Sequence, residues 1–304
     1  MIYKITHRTT YRYRFPVSLG NHVACLKPRN LVGQHLMSSA LAIQPVPATL
    51  TERVDYFGNE LCFFTVQEPH RELVVETCSE VMMDPGRSDA RNLETNVAWE
   101  DVVRLLAGER VSATTEASQF SFESPRIRIR PEFAAYALQS FTPGRPMLEA
   151  LLDLTARIHT DFRFDAKSTN VRTPTEEVFK KRRGVCQDFA HVQIACLRSL
   201  NLAARYVSGY LRTYPPPGKP RLIGADASHA WVSAYCPGIG WVDVDPTNNV
   251  VPSDGHVTLA WGRDYGDVSP LRGLILGGGA HTLKVGVDME PVESSSEVPS
   301  VQNG

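Results

Sequence analysis

The sequence predicts an α+β protein that begins with an antiparallel β domain. Side chains alternate with a period of two from Tyr3 to Phe15, and more strand-like runs follow with no helical period between them. From residue 146 onwards, apolar side chains recur at helical spacing before a second group of strand-like runs begins. Helices followed by an antiparallel sheet are typical of an α+β core.

These patterns divide the chain into five predicted parts. We expect an N-terminal β domain over 1–90, a connector over 91–143, a catalytic core over 144–260, a C-terminal strand region over 261–290 and a disordered tail over 291–304. The tail is rich in Ser, Glu and Pro, a composition that buries too little apolar surface to fold.

The β domain is predicted strand by strand. One face of the first strand carries seven alternating side chains, namely Tyr3, Ile5, His7, Thr9, Tyr11, Tyr13 and Phe15. Four further strands are expected, at 36–45, 51–56, 61–66 and 72–82. The dipeptide Gly58-Asn59 predicts the hairpin turn between the second and third of these.

The connector and the first helices are less regular. A short helix is expected over 96–107, and the alternation of Arg126 to Arg130 predicts a strand with one solvated face. Six apolar residues between 146 and 158 share one helical face. A capping box from Thr173 to Glu176, with proline at the first helical position, predicts the start of another helix.

The second half of the core reads as one apolar helix followed by strands. The helix is expected from Cys186 to Leu200. The strands are expected at 203–211, 229–235 and 240–244, with the last two joined as a hairpin by a turn at 237–240. Alternation from Leu283 to Met289 predicts a final strand.

Bulk composition excludes several classes of protein. A net charge of −1 over 304 residues, without a basic stripe between aromatic residues, argues against nucleic acid. No apolar run reaches signal-peptide or membrane-spanning length, so we expect a cytoplasmic protein with no membrane partner. Six scattered cysteines are then expected to be free thiols.

The candidate chemistry starts at Cys186, which follows a glycine-valine pair and opens the apolar helix. The free N–H groups at a helix N-terminus favour the thiolate, which is the reactive form of a cysteine. His229 begins one strand of the predicted hairpin and Asp245 ends the other, so the two side chains should lie close together. A thiol, an imidazole and an orienting carboxylate are the components of nucleophilic acyl chemistry.

Other residues near these positions have structural alternatives. Asp243 is the rival of Asp245 as orienting carboxylate. Gln187 and Trp231 are the candidate substrate-binding residues, with a core position as the alternative for Trp231. His191 is expected to be a core or supporting histidine, and Asp188 a helix-start acid that could also shape the site.

No metal or cofactor is expected. The sequence has no CxxC or HxxxH spacing for metal ligands. An EF-hand loop starting at Asp243 would need glycine where Asn248 stands and glutamate where Asp254 stands.

The segments Gly184–His191, Ser228–Trp231 and Val244–Asn248 together resemble the transglutaminase-like core of bacterial proteins described as cysteine proteases. The N-terminal alternating strands, with Tyr11-Arg12-Tyr13 and Pro28-Arg29, resemble the β-rich domain often joined to that core. The resemblance implies a papain-like core with Cys186 as nucleophile, His229 as general base and acid, and Asp245 as orienter.

The sequence therefore predicts an enzyme, a cysteine-dependent amide hydrolase acting on a peptide or protein through a thioester. Acyl transfer to an amine is the first alternative, because exclusion of water cannot be read from sequence. A non-catalytic module that binds a peptide or another partner is the second.

Overall fold

The computed structural model describes residues 1–84, 97–108, 112–213 and 227–292. Within those ranges seven strands form the N-terminal sheet, and every pairing in it is antiparallel. They are β1 (Ile2–Ala24), β2 (Gln34–Gln44), β3 (Thr49–Val54), β4 (Glu60–Val66), β5 (His70–Met83), β12 (Leu271–Gly277) and β13 (His281–Val292). The predicted N-terminal antiparallel β domain is confirmed.

Strand β1 organises this sheet because each of its two halves has its own neighbours. Residues 2–12 pair with β5 on one side, and residues 2–13 pair with β13 on the other. Residues 20–24 pair with β4, and residues 17–24 pair with β12. The register shifts between Arg12 and Val17, around Pro16, which has no N–H to donate to a ladder.

The core contains helices α1 (Trp99–Gly108), α2 (Ser112–Ser118), α3 (Pro131–Ala137), α4 (Met147–Asp161), α5 (Thr175–Lys181), α6 (Cys186–Ser199) and α7 (Tyr265–Val268). Its strands are β6 (Arg163–Phe164), β7 (Arg183–Gly184), β8 (Ala204–Leu211), β9 (Ala227–Cys236), β10 (Gly240–Val244) and β11 (His256–Gly262). The antiparallel sheet has the order β10-β9-β8-β11, and α6 packs against β9 and β8. This arrangement confirms the predicted α+β core.

Helix α6 is buried on all sides from Asp188 to Arg198. A helix enclosed in this way needs apolar residues around most of its circumference. Its one arginine, Arg198, donates to the carbonyl oxygens of Ala204 at 2.8 Å and Arg263 at 2.7 Å. The helix that carries Cys186 is therefore held firmly in the centre of the core.

One local prediction is wrong, and a second is correct in the position of the helix start but not in its cap. Residues 126–130 form no strand: a turn at Pro125 and Arg126 is closed by a single bridge between Ser124 and Ile127, and only Ile127 of the predicted segment is buried. Helix α5 begins at Thr175 with Pro174 as its N-cap. The hydroxyl of Thr173 accepts a hydrogen bond from the N–H of Asn170 and does not cap the helix.

The predicted connector holds α1, α2 and α3 within its described ranges, and the C-terminal strands pair with β1. Residues 291 and 292 of the predicted tail belong to β13, while 293–304 lie outside the described residues. None of the helices in the described ranges has the length and hydropathy that crossing a membrane requires.

Side-chain amides fix the β domain to the edge of the core sheet. Gln34 donates to the carbonyl of Thr258 and accepts from its N–H, both at 2.8 Å. Asn59 does the same with the carbonyl and N–H of Trp261, at 2.8 and 3.0 Å. The guanidinium of Arg29 stacks 3.6 Å from the Trp261 ring. Each side-chain amide thus makes the two hydrogen bonds that a neighbouring strand would make with the edge strand β11. These bonds attach the β domain to the core sheet.

Candidate active site

The thiol of Cys186 is positioned by the start of α6. The N–H of Val185 donates to Asp188 Oδ2 at 2.9 Å, and the hydroxyl of Thr169 donates to the same oxygen at 2.6 Å. A Cβ on Gly184 would lie 2.6 Å from that oxygen, so only glycine allows the approach. Asp188 therefore orders the turn that presents Cys186, as a first-turn acid does.

The hairpin of β9 and β10 brings His229 and Asp245 together. Val232 pairs with Val244, which places the start of β9 beside the end of β10. His229 Nε2 lies 2.7 Å from Asp245 Oδ2, and both side chains are buried. The predicted proximity of imidazole and carboxylate is present in the structure.

Asp245 is held by the turn that follows it. Its Oδ1 accepts from the N–H of Thr247 at 2.9 Å and from the N–H of Asn248 at 3.3 Å. Its Oδ2 accepts from Asn248 Nδ2 at 2.7 Å. The backbone of Asp245 is also bridged to Val250, so the turn is closed at both ends. A short side chain that accepts from the backbone two residues ahead is the usual way in which Asp organises a turn.

Cys186 and His229 line the same cleft, and interaction with Cys186 is among the causes that raise the pKa of His229. Because Nε2 of His229 is used by Asp245, Nδ1 is the ring nitrogen left for the sulfur. Burial lowers the pKa of His229, but the hydrogen bonds to Asp245 and Cys186 outweigh it and raise the pKa to about 10. The imidazole is therefore charged at neutral pH, which favours a thiolate beside it.

Burial would raise the pKa of Asp245, yet the hydrogen bonds from His229, His256 and Asn248 hold that pKa well below its usual range. The carboxylate therefore stays ionised and stabilises the imidazolium.

His256 is a part of this network that the sequence did not reveal. Its Nε2 lies 3.2 Å from Asp245 Oδ2, and the side chain is buried. It is the first residue of β11, a strand for which no prediction was made. Since β11 adjoins β8, His256 reaches Asp245 from the side opposite β10. The only signal in the sequence is a histidine ahead of an apolar run.

The remaining candidates occupy different places. Asp243 accepts a hydrogen bond from Trp231 Nε1 at 3.1 Å, whereas the carboxylate hydrogen-bonded to His229 is that of Asp245. Trp231 is fully buried, and its contact with a substrate stays a prediction. Gln187 lines the cleft next to Cys186. His191 is buried and accepts from the N–H of Tyr265 at 3.2 Å, and burial lowers its pKa.

Two family models match the chain. The bacterial transglutaminase-like N-terminal region matches residues 3–82, and the transglutaminase-like superfamily matches residues 134–246. An uncharacterized protein of Mycobacterium tuberculosis (strain ATCC 25618 / H37Rv) is 40% identical over 97% of this chain and 94% of its own length. The chain belongs to the transglutaminase-like superfamily. The second match contains Cys186, His229 and Asp245.

Two further relatives of this transglutaminase-like protein have names that mention an activity. A "Protein-glutamine gamma-glutamyltransferase" of Pseudomonas aeruginosa is 29% identical over 47% of this chain and 23% of that protein. The crystal structure of "a Putative Cysteine Protease from Cytophaga hutchinsonii" has a TM-score of 0.73 and 22% identity, and covers 97% of this chain and 92% of that one. The structural likeness shows that the two proteins share a fold.

Three side chains of the network around Asp245 form the one group of potential metal ligands among the described residues of this transglutaminase-like protein. Ligand atoms of His229, Asp245 and His256 all lie within 4.8 Å of one another. Two ligand atoms bound to a zinc ion at about 2.0 Å are separated by roughly 3.3 Å in a tetrahedral site. The 2.7 Å between His229 Nε2 and Asp245 Oδ2 is shorter and has the length of a charge-assisted hydrogen bond. The geometry is that of a hydrogen-bonded network.

Proposed function

We propose that this protein is a cysteine-dependent amide hydrolase that acts on a peptide or protein through a thioester. The observation that carries the proposal is that Cys186 and His229 line one cleft, while His229 Nε2 lies 2.7 Å from the buried carboxylate of Asp245. Membership of the transglutaminase-like superfamily supports it.

In the first step the thiolate of Cys186 attacks the carbonyl carbon of an amide. The new C–S bond forms as the carbonyl π electrons move onto oxygen. His229 then gives its proton to the amide nitrogen, the C–N bond breaks and the amine leaves. The raised pKa of His229 keeps that proton available throughout the neutral range.

In the second step water cleaves the thioester. Neutral His229 removes a proton from the water as the oxygen attacks, the C–S bond breaks, and Cys186 leaves as the thiolate beside a protonated imidazole. The thiol is only partly buried, so water has a route to the thioester. That exposure is the reason for preferring hydrolysis over transfer.

The start of α6 supplies donors for the oxyanion. Cys186 and Gln187 are the first two residues of the helix, and their N–H groups have no partner within it. Donors at such positions point towards negative charge that develops beside the thiol. Gln187 would then border the substrate and donate its backbone N–H to the oxyanion.

Acyl transfer to an amine is the second candidate, favoured by the relative named as a glutamyltransferase. It uses the same thioester and differs only in the second nucleophile. Which reaction dominates depends on whether an amine reaches the thioester faster than water does.

The test is incubation of the protein with a peptide library and a primary amine in water enriched in heavy oxygen, with products identified by mass spectrometry. Hydrolysis puts heavy oxygen into the new carboxyl group, whereas transfer puts the amine there. Cys186→Ala should abolish both products, while Cys196→Ala, which changes a buried cysteine on the same helix, should retain them. Products that persist in Cys186→Ala, or no turnover in wild-type protein with a stable fold, would reject the proposal in favour of a binding module.

A further inference from the structure

The N-terminal β domain forms one wall of the cleft that contains Cys186. The cleft is lined on one side by Cys186, Gln187 and His229 of the core, and on the other by strands β1 and β13. Thr9 pairs with Val285 and Tyr11 pairs with Leu283 across those two strands. Because side chains alternate along a strand, these four point from the same face of the sheet. We call Tyr11, Leu283 and Val285 the cleft wall.

The cleft wall is apolar and partly open to solvent. Leu283 is 53% exposed and Val285 is 46% exposed, although each is a branched aliphatic side chain beside a polar catalytic pair. Exposed leucine alone means little, because Leu274 and Leu276 of β12 are exposed as well and lie outside the cleft. The position of the wall residues opposite Cys186 is what sets them apart.

Among the described residues, the lining of the cleft carries no charge apart from the catalytic pair. None of the side chains that line it in the described structure belongs to Asp, Glu, Lys or Arg. His7 lines the cleft too, and burial lowers its pKa to about 4, so it is neutral at physiological pH. A charged substrate group placed here would lose its hydration without gaining a partner.

The cleft wall is fixed relative to the thiol. His7 Nδ1 lies 2.9 Å from the hydroxyl of Tyr210 on β8, and Nε2 lies 3.1 Å from the hydroxyl of Thr9. Both hydrogen bonds are buried. A wall held in this way can discriminate between side chains without first closing on them.

We propose that the cleft wall binds an uncharged, leucine-sized side chain next to the reacting amide of a peptide substrate. This specificity rests on the proposed function, since it assumes that Cys186 attacks that amide. Burial of a leucine side chain against such a surface is worth roughly a tenfold to hundredfold gain in binding.

The test measures how peptides protect Cys186 from iodoacetamide. Three peptides share a central glutamine and carry leucine, aspartate or lysine on both sides of it. The rate of Cys186 alkylation is read by intact mass at increasing peptide concentration. The leucine peptide should protect at a concentration at least tenfold lower than either charged peptide.

Two variants test whether the preference for the leucine peptide comes from the cleft wall. Leu283→Asp should remove most of the advantage of the leucine peptide and improve protection by the lysine peptide. Leu276→Asp is the matched control, because it introduces the same charge at a leucine of similar exposure on a neighbouring strand outside the cleft. Unchanged melting temperatures would show that both variants keep the fold.

The outcomes separate the two proposals. If iodoacetamide does not modify Cys186 in the absence of peptide, the proposed function fails. If Cys186 is modified but the three peptides protect equally, only the cleft wall is wrong. A leucine preference that survives Leu283→Asp, or that is lost equally in Leu276→Asp, would also overturn the assignment.

Discussion

Replacement of His229 by glutamine tests the ion pair on which the proposed chemistry depends. Glutamine keeps a polar side chain in the buried position but removes the group that carries the positive charge. In the wild-type protein, burial opposes that charge, yet the hydrogen bonds to Asp245 and Cys186 raise the pKa of His229 to about 10. The difference from the ordinary value of 6.5 corresponds to about 5 kcal/mol in favour of the imidazolium.

The pH dependence of alkylation reports whether the pair exists. Because the imidazolium persists up to about pH 10, its positive charge acts on the neighbouring sulfur at every pH from 6 to 9, and we expect the wild-type alkylation rate to change by less than about threefold over that interval. An isolated cysteine, with a pKa near 8.5, is ionised to about 0.3% at pH 6 and about 75% at pH 9. The alkylation rate of His229→Gln should therefore rise by about 200-fold over the same interval.

The assay is the second-order rate constant for iodoacetamide, measured by intact mass at each pH. Cys186→Ala provides the background from Cys78, the other cysteine that is not buried. A wild-type rate that climbs steeply near pH 8.5, or a His229→Gln profile as flat as that of the wild type, would refute the ion pair.

Three further predictions follow from the contacts around the site. His256→Leu should lower kcat roughly 10- to 100-fold with little change in KM, because it removes a charge-assisted hydrogen bond to Asp245. His256→Gln should restore most of the lost kcat. A rise in KM of the same size in both variants would argue against a positioning role for His256. The free energy of unfolding should fall as pH drops from 6.5 to 4, because His7 takes up a proton at a higher pH in the unfolded chain than in the folded protein. In denaturant titrations, His7→Gln should remove up to about 3 kcal/mol of this fall. Gly209→Ala should destabilise the fold by about 1–3 kcal/mol, since its Cβ would lie 2.3 Å from the ring of Trp231, and an unchanged melting temperature would contradict the packing.

Much of the fold could be predicted because its signals are local. The alternation in β1 marks a strand with one buried face, and the apolar stripe after Cys186 marks a buried helix. The hairpin turn at 237–240 fixes the register of β9 and β10, so the proximity of His229 and Asp245 followed from counting residues. Counting did not separate Asp245 from Asp243, which lies two residues earlier on the same face of the strand; the resemblance to the transglutaminase-like core is what favoured Asp245.

The parts that could not be predicted depend on contacts between distant segments. His256 reaches Asp245 only because β11 pairs with β8, and no residue pattern near position 256 predicts that pairing. The pairing of β12 and β13 with β1 joins segments about 260 residues apart, so the apolar alternation from Leu283 indicated a strand but not its partner. The strand predicted at 126–130 is absent because the alternation of arginine and isoleucine gives the spacing of a strand but does not supply a neighbouring strand to pair with.

The chemistry and the proposed specificity have separate origins in this fold. Asp245 accepts hydrogen bonds from five donors, all within residues 229–256 of the core, so the charge on the imidazole is set there. The cleft wall comes from β1 and β13, and no hydrogen bond among the described residues joins it to Asp245 or to the donors of Asp245. Uncharged substitutions in the wall should therefore alter which peptide binds while the pH profile of Cys186 alkylation stays unchanged. Substitutions around Asp245 should do the reverse, because side chains without shared partners act independently.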